Sequence, residues 1–187
     1  MNRDKNRVCP VALAWGLDIG IRRWLQNPRQ ILAPYVSAGM TALDIGCGPG
    51  FFSLEMARLV GPAGRVIAAD LQEGMLRKLR KKISGTEFED RIVLHACAPD
   101  TLAVAEKVDF ALAFYMVHEV PDQARFFREL AALLRPRGKV LVVEPAFHVS
   151  KPEFAQTVQT ARAAGFDVEN GPRLLLSRTV MLRQPVP

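Results

Sequence analysis

Short apolar runs alternate with segments of helical periodicity along most of this chain. Seven segments have the apolar character and length of strands: residues 41–46, 65–70, 91–96, 108–114, 139–144, 166–169 and 174–182. Apolar residues recur at helical spacing between them, at about 50–60, 73–83, 123–134 and 151–164, with a shorter helix predicted at 101–105. The alternation predicts an α/β fold with a doubly wound, mostly parallel, Rossmann-like sheet of seven strands.

A segment of mixed amphipathic character precedes this alternation. Residues 8–36 contain two tryptophans and the pair Asn27-Pro28, which can begin a new helix. We expect a helical segment over 1–36 and an α/β core over 37–187, together forming one domain, since 187 residues lie in the usual range for one. Two placements stay open for the N-terminal segment: a lid over a site, with Trp15 lining a pocket, or plain packing on the sheet.

Composition is ordinary for a soluble globular protein. Hydrophobic residues make up 49% and charged residues 24%, and no apolar run approaches the roughly 18 residues of a membrane span. The charged N-terminus is not followed by the unbroken apolar core of a signal peptide. These features predict a cytoplasmic protein, as a monomer or homodimer.

The positive charge does not indicate a nucleic-acid partner. The formal charge is +6, but it is scattered, and its densest cluster, residues 77–82, falls on the exposed face of a predicted helix. No aromatic residues alternate with that cluster, as they do on single-strand binding surfaces. Cys9, Cys47 and Cys97 have neither the spacing of a zinc site nor the even number of a disulfide set, so no metal is predicted.

Three glycines stand in five positions directly after the first predicted strand. Gly46, Gly48 and Gly50 follow Asp44 where the strand gives way to a helix, the place where nucleotide-like cofactors bind in open α/β sheets. The third glycine comes one position too early for a dinucleotide fingerprint, and no Walker lysine follows. At the end of the second predicted strand, Asp70 can accept hydrogen bonds from two ribose hydroxyls or cap the following helix.

The sequence from Leu43 to Gly50 resembles the first motif of class I S-adenosylmethionine-dependent methyltransferases. The resemblance implies that the loop passes under the methionine part of the cofactor, that Asp44 helps to orient its amino group, and that S-adenosylhomocysteine is the product. It implies cofactor contacts from these residues: Asp44, Gly46, Cys47, Gly48, Gly50, Asp70, Leu71, Cys97, Ala98 and Phe114.

After the third predicted strand the chain departs from that family. The family commonly has an acidic residue here that reaches the adenine amino group, whereas this chain has Cys97 and Ala98. Either backbone atoms of these two residues contact the adenine edge, or Asp100 reaches back to it.

Residues 108–145 resemble the second half of the small-molecule group of the same family, often called type 11, which includes quinone-ring C-methyltransferases and arsenite methyltransferases. The strand ends that follow predict an acceptor pocket lined by Tyr115, Glu144 and His148, to which the N-terminal segment would add Trp15. His118 is the candidate general base, with a structural role in its loop as the alternative.

Two observations narrow the choice of methyl acceptor. Phe114-Tyr-Met-Val117 replaces the signature that holds a planar nitrogen in many amino-group methyltransferases, which disfavours adenine and glutamine, and scattered cysteines give little support to arsenite. The sequence therefore predicts methyl transfer to a small organic molecule. The alternative is a cofactor-binding regulatory or RNA-associated protein of the same fold.

Overall fold

The computed structural model describes residues 27–185, and their strands form one seven-stranded sheet. The strands are β1 (Thr41–Ile45), β2 (Arg65–Asp70), β3 (Ile92–Ala96), β4 (Val108–Phe114), β5 (Leu134–Pro145), β6 (Asp167–Asn170) and β7 (Ser177–Arg183). Their order is β3-β2-β1-β4-β5-β7-β6, with the first five parallel and β7 antiparallel to both neighbours. The predicted fold class is confirmed.

Three of the five α-helices in the described residues begin after a residue whose side chain caps them, namely Asn27, Asp122 and Ser150. They are α1 (Pro28–Leu32), α2 (Ser53–Val60), α3 (Glu73–Ile83), α4 (Gln123–Leu133) and α5 (Lys151–Ala163), with a short 3₁₀ helix at Val117–Glu119. The Asn27 side chain accepts from the amide of Arg29 at 3.1 Å, which confirms that Asn27-Pro28 begins a helix. Ser150 and Glu153 form a reciprocal capping box at α5.

Apolar layers cover the sheet on both faces. On one face, α1, α2 and α3 bury Leu32, Met56 and Leu79 against β1, β2 and β4. On the other, α4 and α5 bury Phe127 and Ala161. Because both faces are covered, the parallel strands carry the unbroken apolar runs seen in the sequence.

One predicted helix is absent, and one strand begins earlier than predicted. Residues 101–105 form no helix: Ala98 and Thr101 pair as an isolated bridge, and Ala103 has φ +52°. Strand β5 begins at Leu134 rather than near 139, because Leu134 pairs with Val108 ahead of an irregularity in the ladder. The earlier start of β5 thus depends on a partner that is distant in sequence.

The described part of the N-terminal segment belongs to the core. Ile31 and Leu32 are buried, and the Tyr35 ring lies parallel to that of Phe110 with centroids 6.0 Å apart. Trp15, and the lid predicted for this region, lie outside the described residues. Between residues 27 and 185, no helix has the length and apolar character needed to cross a membrane.

Candidate active site

A cavity of about 1790 Å³ opens where the carboxyl ends of β1, β2 and β4 meet. Strand order reverses around β1, and this switch point is where ligands bind in open α/β sheets. The cavity exceeds the roughly 300–1,000 Å³ usual for one small ligand, so it has room for two molecules side by side. Its walls are the loops that follow the strands.

The loop after β1 is held at both ends by hydrogen bonds. The amides of Gly46 and Cys47 both donate to the carbonyl of Ala69, at 2.8 and 3.0 Å. At the other end, the Lys82 ammonium donates to the carbonyl of Pro49 at 2.6 Å. Burial, and then the charge of nearby Lys78, lower the pKa of Lys82. No local pattern of residues indicates this contact, because it joins residues 33 positions apart.

The three glycines of this loop have different surroundings. A Cβ on Gly46 would stand 3.2 Å from that of Met116, and a Cβ on Gly50 would meet Leu79 at 2.3 Å. Gly48, which lines the cavity, has φ +54°, and a Cβ there would meet no atom within 4 Å. The protein itself fills the space beside two glycines, whereas the third leaves an open cradle that a ligand can occupy.

Asp70 ties the glycine loop to α3. One carboxylate oxygen accepts from the amide of Gly48 and the other from that of Gln72, both at 2.8 Å. Burial raises the pKa of Asp70, and these two hydrogen bonds oppose the rise. Asp70 is not the N-cap of α3, which is Gln72; its carboxylate instead accepts from the amide of that N-cap residue. Each oxygen has a second lone pair for a ribose hydroxyl, so the carboxylate also fits an adenosyl group.

Asp44 is buried at the end of β1. Its carboxylate accepts from the Ser53 hydroxyl at 2.5 Å, which fastens the strand to the first residue of α2. Asp44 also lines the cavity below the glycine loop. This position fits the amino group that the sequence resemblance assigns to it.

The polar groups predicted to contact adenine form hydrogen bonds or ion pairs within the protein. The amide of Cys97 donates to the carbonyl of Asp70 at 3.0 Å, and that of Ala98 to the carbonyl of Thr101 at 3.1 Å. The Asp100 carboxylate pairs with Arg125 at 3.1 Å. The cavity is lined here by Leu71, Cys97, Ala98, Pro99 and Leu102. The arrangement offers an adenine ring mainly apolar packing.

The two described cysteines are poor metalloid ligands. Burial, and then the charge of Asp44, raise the pKa of Cys47, while burial followed by Asp70 and Glu129 raises the pKa of Cys97 to about 11. Both thiols are therefore protonated at neutral pH. Within residues 27–185, no group of three or more metal-binding side chains comes together.

His118 and Glu144 form a hydrogen-bonded pair beside the cavity. The ring Nδ1 lies 2.5 Å from one carboxylate oxygen, and the His118 amide donates to the other at 3.1 Å. Burial lowers the pKa of His118, but the hydrogen bond and charge of Glu144, with a smaller contribution from Glu119, raise it above its ordinary value. His148 lies edge-on to His118, with ring centroids 4.8 Å apart.

The pair corrects one prediction. Glu144, predicted to line the acceptor pocket, is 1% exposed, is absent from the cavity wall and supports His118 from behind. His118 and His148 do line the cavity. So does Tyr115, which has φ +59° and whose hydroxyl lies 2.6 Å from that of Ser177. Phe114 lies beneath Tyr115, with ring centroids 4.4 Å apart.

Comparison with known proteins shows which family the chain resembles. A family model described as "Methyltransferase domain" matches residues 36–171. A demethylmenaquinone methyltransferase of Halalkalibacterium halodurans is 31% identical over 109 residues, which cover 58% of this chain and 44% of that one. One from Desulfitobacterium hafniense is 28% identical over 135 residues, covering 72% and 51%. The matched region thus spans about half the length of these relatives.

The fold has a solved counterpart. A structure of an S-adenosylmethionine-dependent methyltransferase from Aquifex aeolicus superposes with a TM-score of 0.81, covering 94% of this chain and 98% of that one. The two sequences are 21% identical, so this likeness establishes the fold alone.

Proposed function

We propose that this chain, which belongs to a methyltransferase-domain family of class I S-adenosylmethionine-dependent enzymes, transfers a methyl group to a small organic acceptor. The observation that carries the proposal is the cradle at Gly48, open on the cavity side and bonded through its amide to the Asp70 carboxylate. Gly46 and Gly50, by contrast, have protein atoms where a Cβ would stand, and Gly48 is the glycine of the loop that combines open space with a position in the cavity wall.

The residues around the cradle match the parts of the family's cofactor. Asp70 would receive the ribose, the backbone at Gly48 the methionine part, Asp44 the amino group, and the apolar walls from Leu71 to Leu102 the adenine. S-adenosylmethionine supplies, when bound, a methyl group made electrophilic by a positively charged sulfur. The protein contributes mainly by placing the acceptor in line with it, since positioning supplies much of the rate in such displacements.

We assign to His118 the removal of a proton from the acceptor. With a carboxylate at Nδ1, the ring holds its proton on that nitrogen, which leaves Nε2 with a free lone pair. Glu144 stabilises the imidazolium that forms when Nε2 accepts a proton. Removing the proton from a hydroxyl makes the oxygen, or a ring carbon conjugated with it, a stronger nucleophile.

An aromatic diol or quinol fits this arrangement as the acceptor class. The cavity wall near His118 combines the rings of Phe114, Tyr115 and His148 with the apolar side chain of Met116. Flat rings pack well against such side chains, while the hydroxyl meets the base. The names of the relatives, demethylmenaquinone methyltransferases, favour a quinol of that kind.

Calorimetry and a turnover assay test the two parts of the proposal. S-adenosylhomocysteine should bind the purified chain, and the Gly48→Val variant should not. With S-adenosylmethionine and reduced 1,4-naphthoquinone, mass spectrometry should detect a singly methylated product, which His118→Gln should form far more slowly. Binding without turnover of phenolic or quinol acceptors would instead support a regulatory or RNA-associated role. Absence of binding would refute the proposal.

A further inference from the structure

Three exposed apolar side chains stand together at the carboxyl edge of the sheet. Phe147, Leu175 and Leu176, here called the apolar tip, are 76%, 64% and 62% exposed. They lie on two loops, one before α5 and one before β7, which are joined where the amide of Ala146 donates to the carbonyl of Leu176 at 2.8 Å. Exposed clusters of large apolar side chains usually mark an interaction surface.

The apolar tip adjoins the mouth of the cavity. Phe147 directly precedes His148, which lines the cavity. Leu176 directly precedes Ser177, whose hydroxyl contacts that of Tyr115, another residue of the cavity wall. Whatever covers the apolar tip therefore also faces the acceptor side of the site.

The backbone of Leu176 is strained. Its φ is +54°, in the left-handed region that a bulky side chain rarely adopts and that glycine adopts freely. The fold gains nothing evident from a leucine whose side chain is mostly in solvent. Strain of this kind tends to persist at functional sites.

The two chain segments that carry the apolar tip contain basic residues. Segments 145–152 and 171–178 contain Lys151, Arg173 and Arg178 and no aspartate or glutamate. The Nε of Arg178 donates to the carbonyl of Val149 at 2.9 Å, which holds that guanidinium between the two loops. Apolar side chains at loop tips surrounded by cations complement a membrane surface, where anionic headgroups overlie acyl chains.

We propose that the apolar tip docks on an anionic lipid bilayer and that the methyl acceptor enters the cavity from that membrane. Three side chains present on the order of a few hundred Å², less than the roughly 800 Å² per partner that a stable protein interface buries. The area therefore favours lipid over a protein partner. The docking proposal is argued from the surface residues alone. The proposal that the acceptor is apolar and dissolved in the membrane rests on the proposed function.

Vesicle sedimentation with the full chain tests docking. Wild type should sediment with vesicles of phosphatidylcholine and phosphatidylglycerol, and less with phosphatidylcholine alone. Phe147→Ser and Leu175→Ser should each weaken binding by roughly tenfold. Arg173→Glu should weaken binding only to the anionic vesicles. Val93→Ser is the matched control, since Val93 is an exposed apolar residue, 42% accessible, on β3 at the opposite end of the sheet.

The Leu176→Gly variant distinguishes a loss of vesicle binding from a loss of stability. It removes an apolar side chain while relaxing the backbone, so it should unfold no more easily than wild type and yet bind vesicles less. Wild type that fails to sediment, or apolar-tip variants that bind like Val93→Ser, would overturn docking. So would light scattering that shows a lipid-free dimer lost in Phe147→Ser, because a second copy would then occupy the tip.

Calorimetry without vesicles keeps the two proposals apart. The apolar-tip variants should bind S-adenosylhomocysteine as wild type does, because none of the three side chains lines the cavity. If wild type binds vesicles but not S-adenosylhomocysteine, the proposed function fails and docking stands. If it binds S-adenosylhomocysteine but not vesicles, docking alone fails.

Discussion

At the scale of single residues, two glycines of the same loop have different roles: Gly48 leaves space for a ligand, and Gly50 is required by packing. Gly48 and Gly50 both have positive φ, but only Gly50 has a protein atom, Leu79 Cδ1, where a Cβ would be placed. Gly50→Ala should therefore lower the melting temperature more than Gly48→Ala. Gly48→Val should nearly abolish S-adenosylhomocysteine binding while the chain stays folded. Scanning calorimetry and titration calorimetry measure the two effects, and normal cofactor binding by Gly48→Val would show that the cradle is misassigned.

The pH dependence of the His118–Glu144 pair is a second prediction at this scale. Because the folded pKa of His118 lies above its ordinary 6.5, the pair's contribution to stability is complete below that pH and is lost as pH rises through the folded value. Glu144→Gln should therefore reduce the free energy of unfolding most at about pH 5.5–6.5, and less at higher pH.

Denaturant titrations at several pH values measure that stability difference. Glu169→Gln is the matched control, since Glu169 pairs with Arg183 rather than with a histidine. A parallel pH dependence in both variants would contradict the assignment. In turnover, the rate of wild type should rise with pH through the raised pKa. Glu144→Gln should shift that rise to lower pH, because burial of His118 is then largely unopposed.

At the scale of elements, α1 is predicted to anchor the N-terminal segment. Leu32 is fully buried, so Leu32→Ala should cost roughly 2–5 kcal/mol of stability. Arg29→Ala on the same helix should change stability by less than about 0.5 kcal/mol, because that side chain is mostly exposed. Urea unfolding compares the two, and equal effects would mean that α1 is not packed as described.

The lid stays a prediction, since residues 1–26 lie outside the described structure. Its described neighbours, Pro28 and Arg29, line the cavity. If the preceding residues close over the site, S-adenosylhomocysteine should slow proteolytic cleavage within them. Equal cleavage with and without the ligand would favour plain packing on the sheet.

At the scale of the whole molecule, cofactor binding should appear as thermal stabilisation. A ligand at 100 times its dissociation constant adds about 2.7 kcal/mol, which raises the melting temperature of a chain of this size by roughly 5–10 °C. Asp70→Asn should need at least about tenfold more S-adenosylhomocysteine for the same rise, since it loses charge-assisted hydrogen bonds.

Asp100→Asn is the control for that experiment and also decides the adenine contact. Asp100 pairs with Arg125 at the surface, so its variant should give the wild-type thermal response. A response as weak as that of Asp70→Asn would show that Asp100 turns inward to the adenine. The single domain, the cytoplasmic location, the oligomeric state and the absence of a nucleic-acid partner stay predictions.

The local pattern of the sequence was sufficient for the order of elements, the family and the cofactor class. Strands β2 and β4 and helix α3 have the predicted bounds, because a short apolar run and a 3.6-residue periodicity are both properties of neighbouring residues. The glycine loop and Asp70 could also be predicted from the sequence, since a strand, a tight loop and a helix in succession form one local unit.

Tertiary structure alone decided which residues meet. Glu144 supports His118 from 26 positions away, because β4 and β5 are neighbours and end at the same edge of the sheet. The apolar tip exists because antiparallel pairing of β5 with β7 brings the loop before β7 beside the loop after β5. Sequence periodicity shows which face of an element is buried, but crossovers and strand pairing between distant segments determine its neighbours, and the site depends on those neighbours.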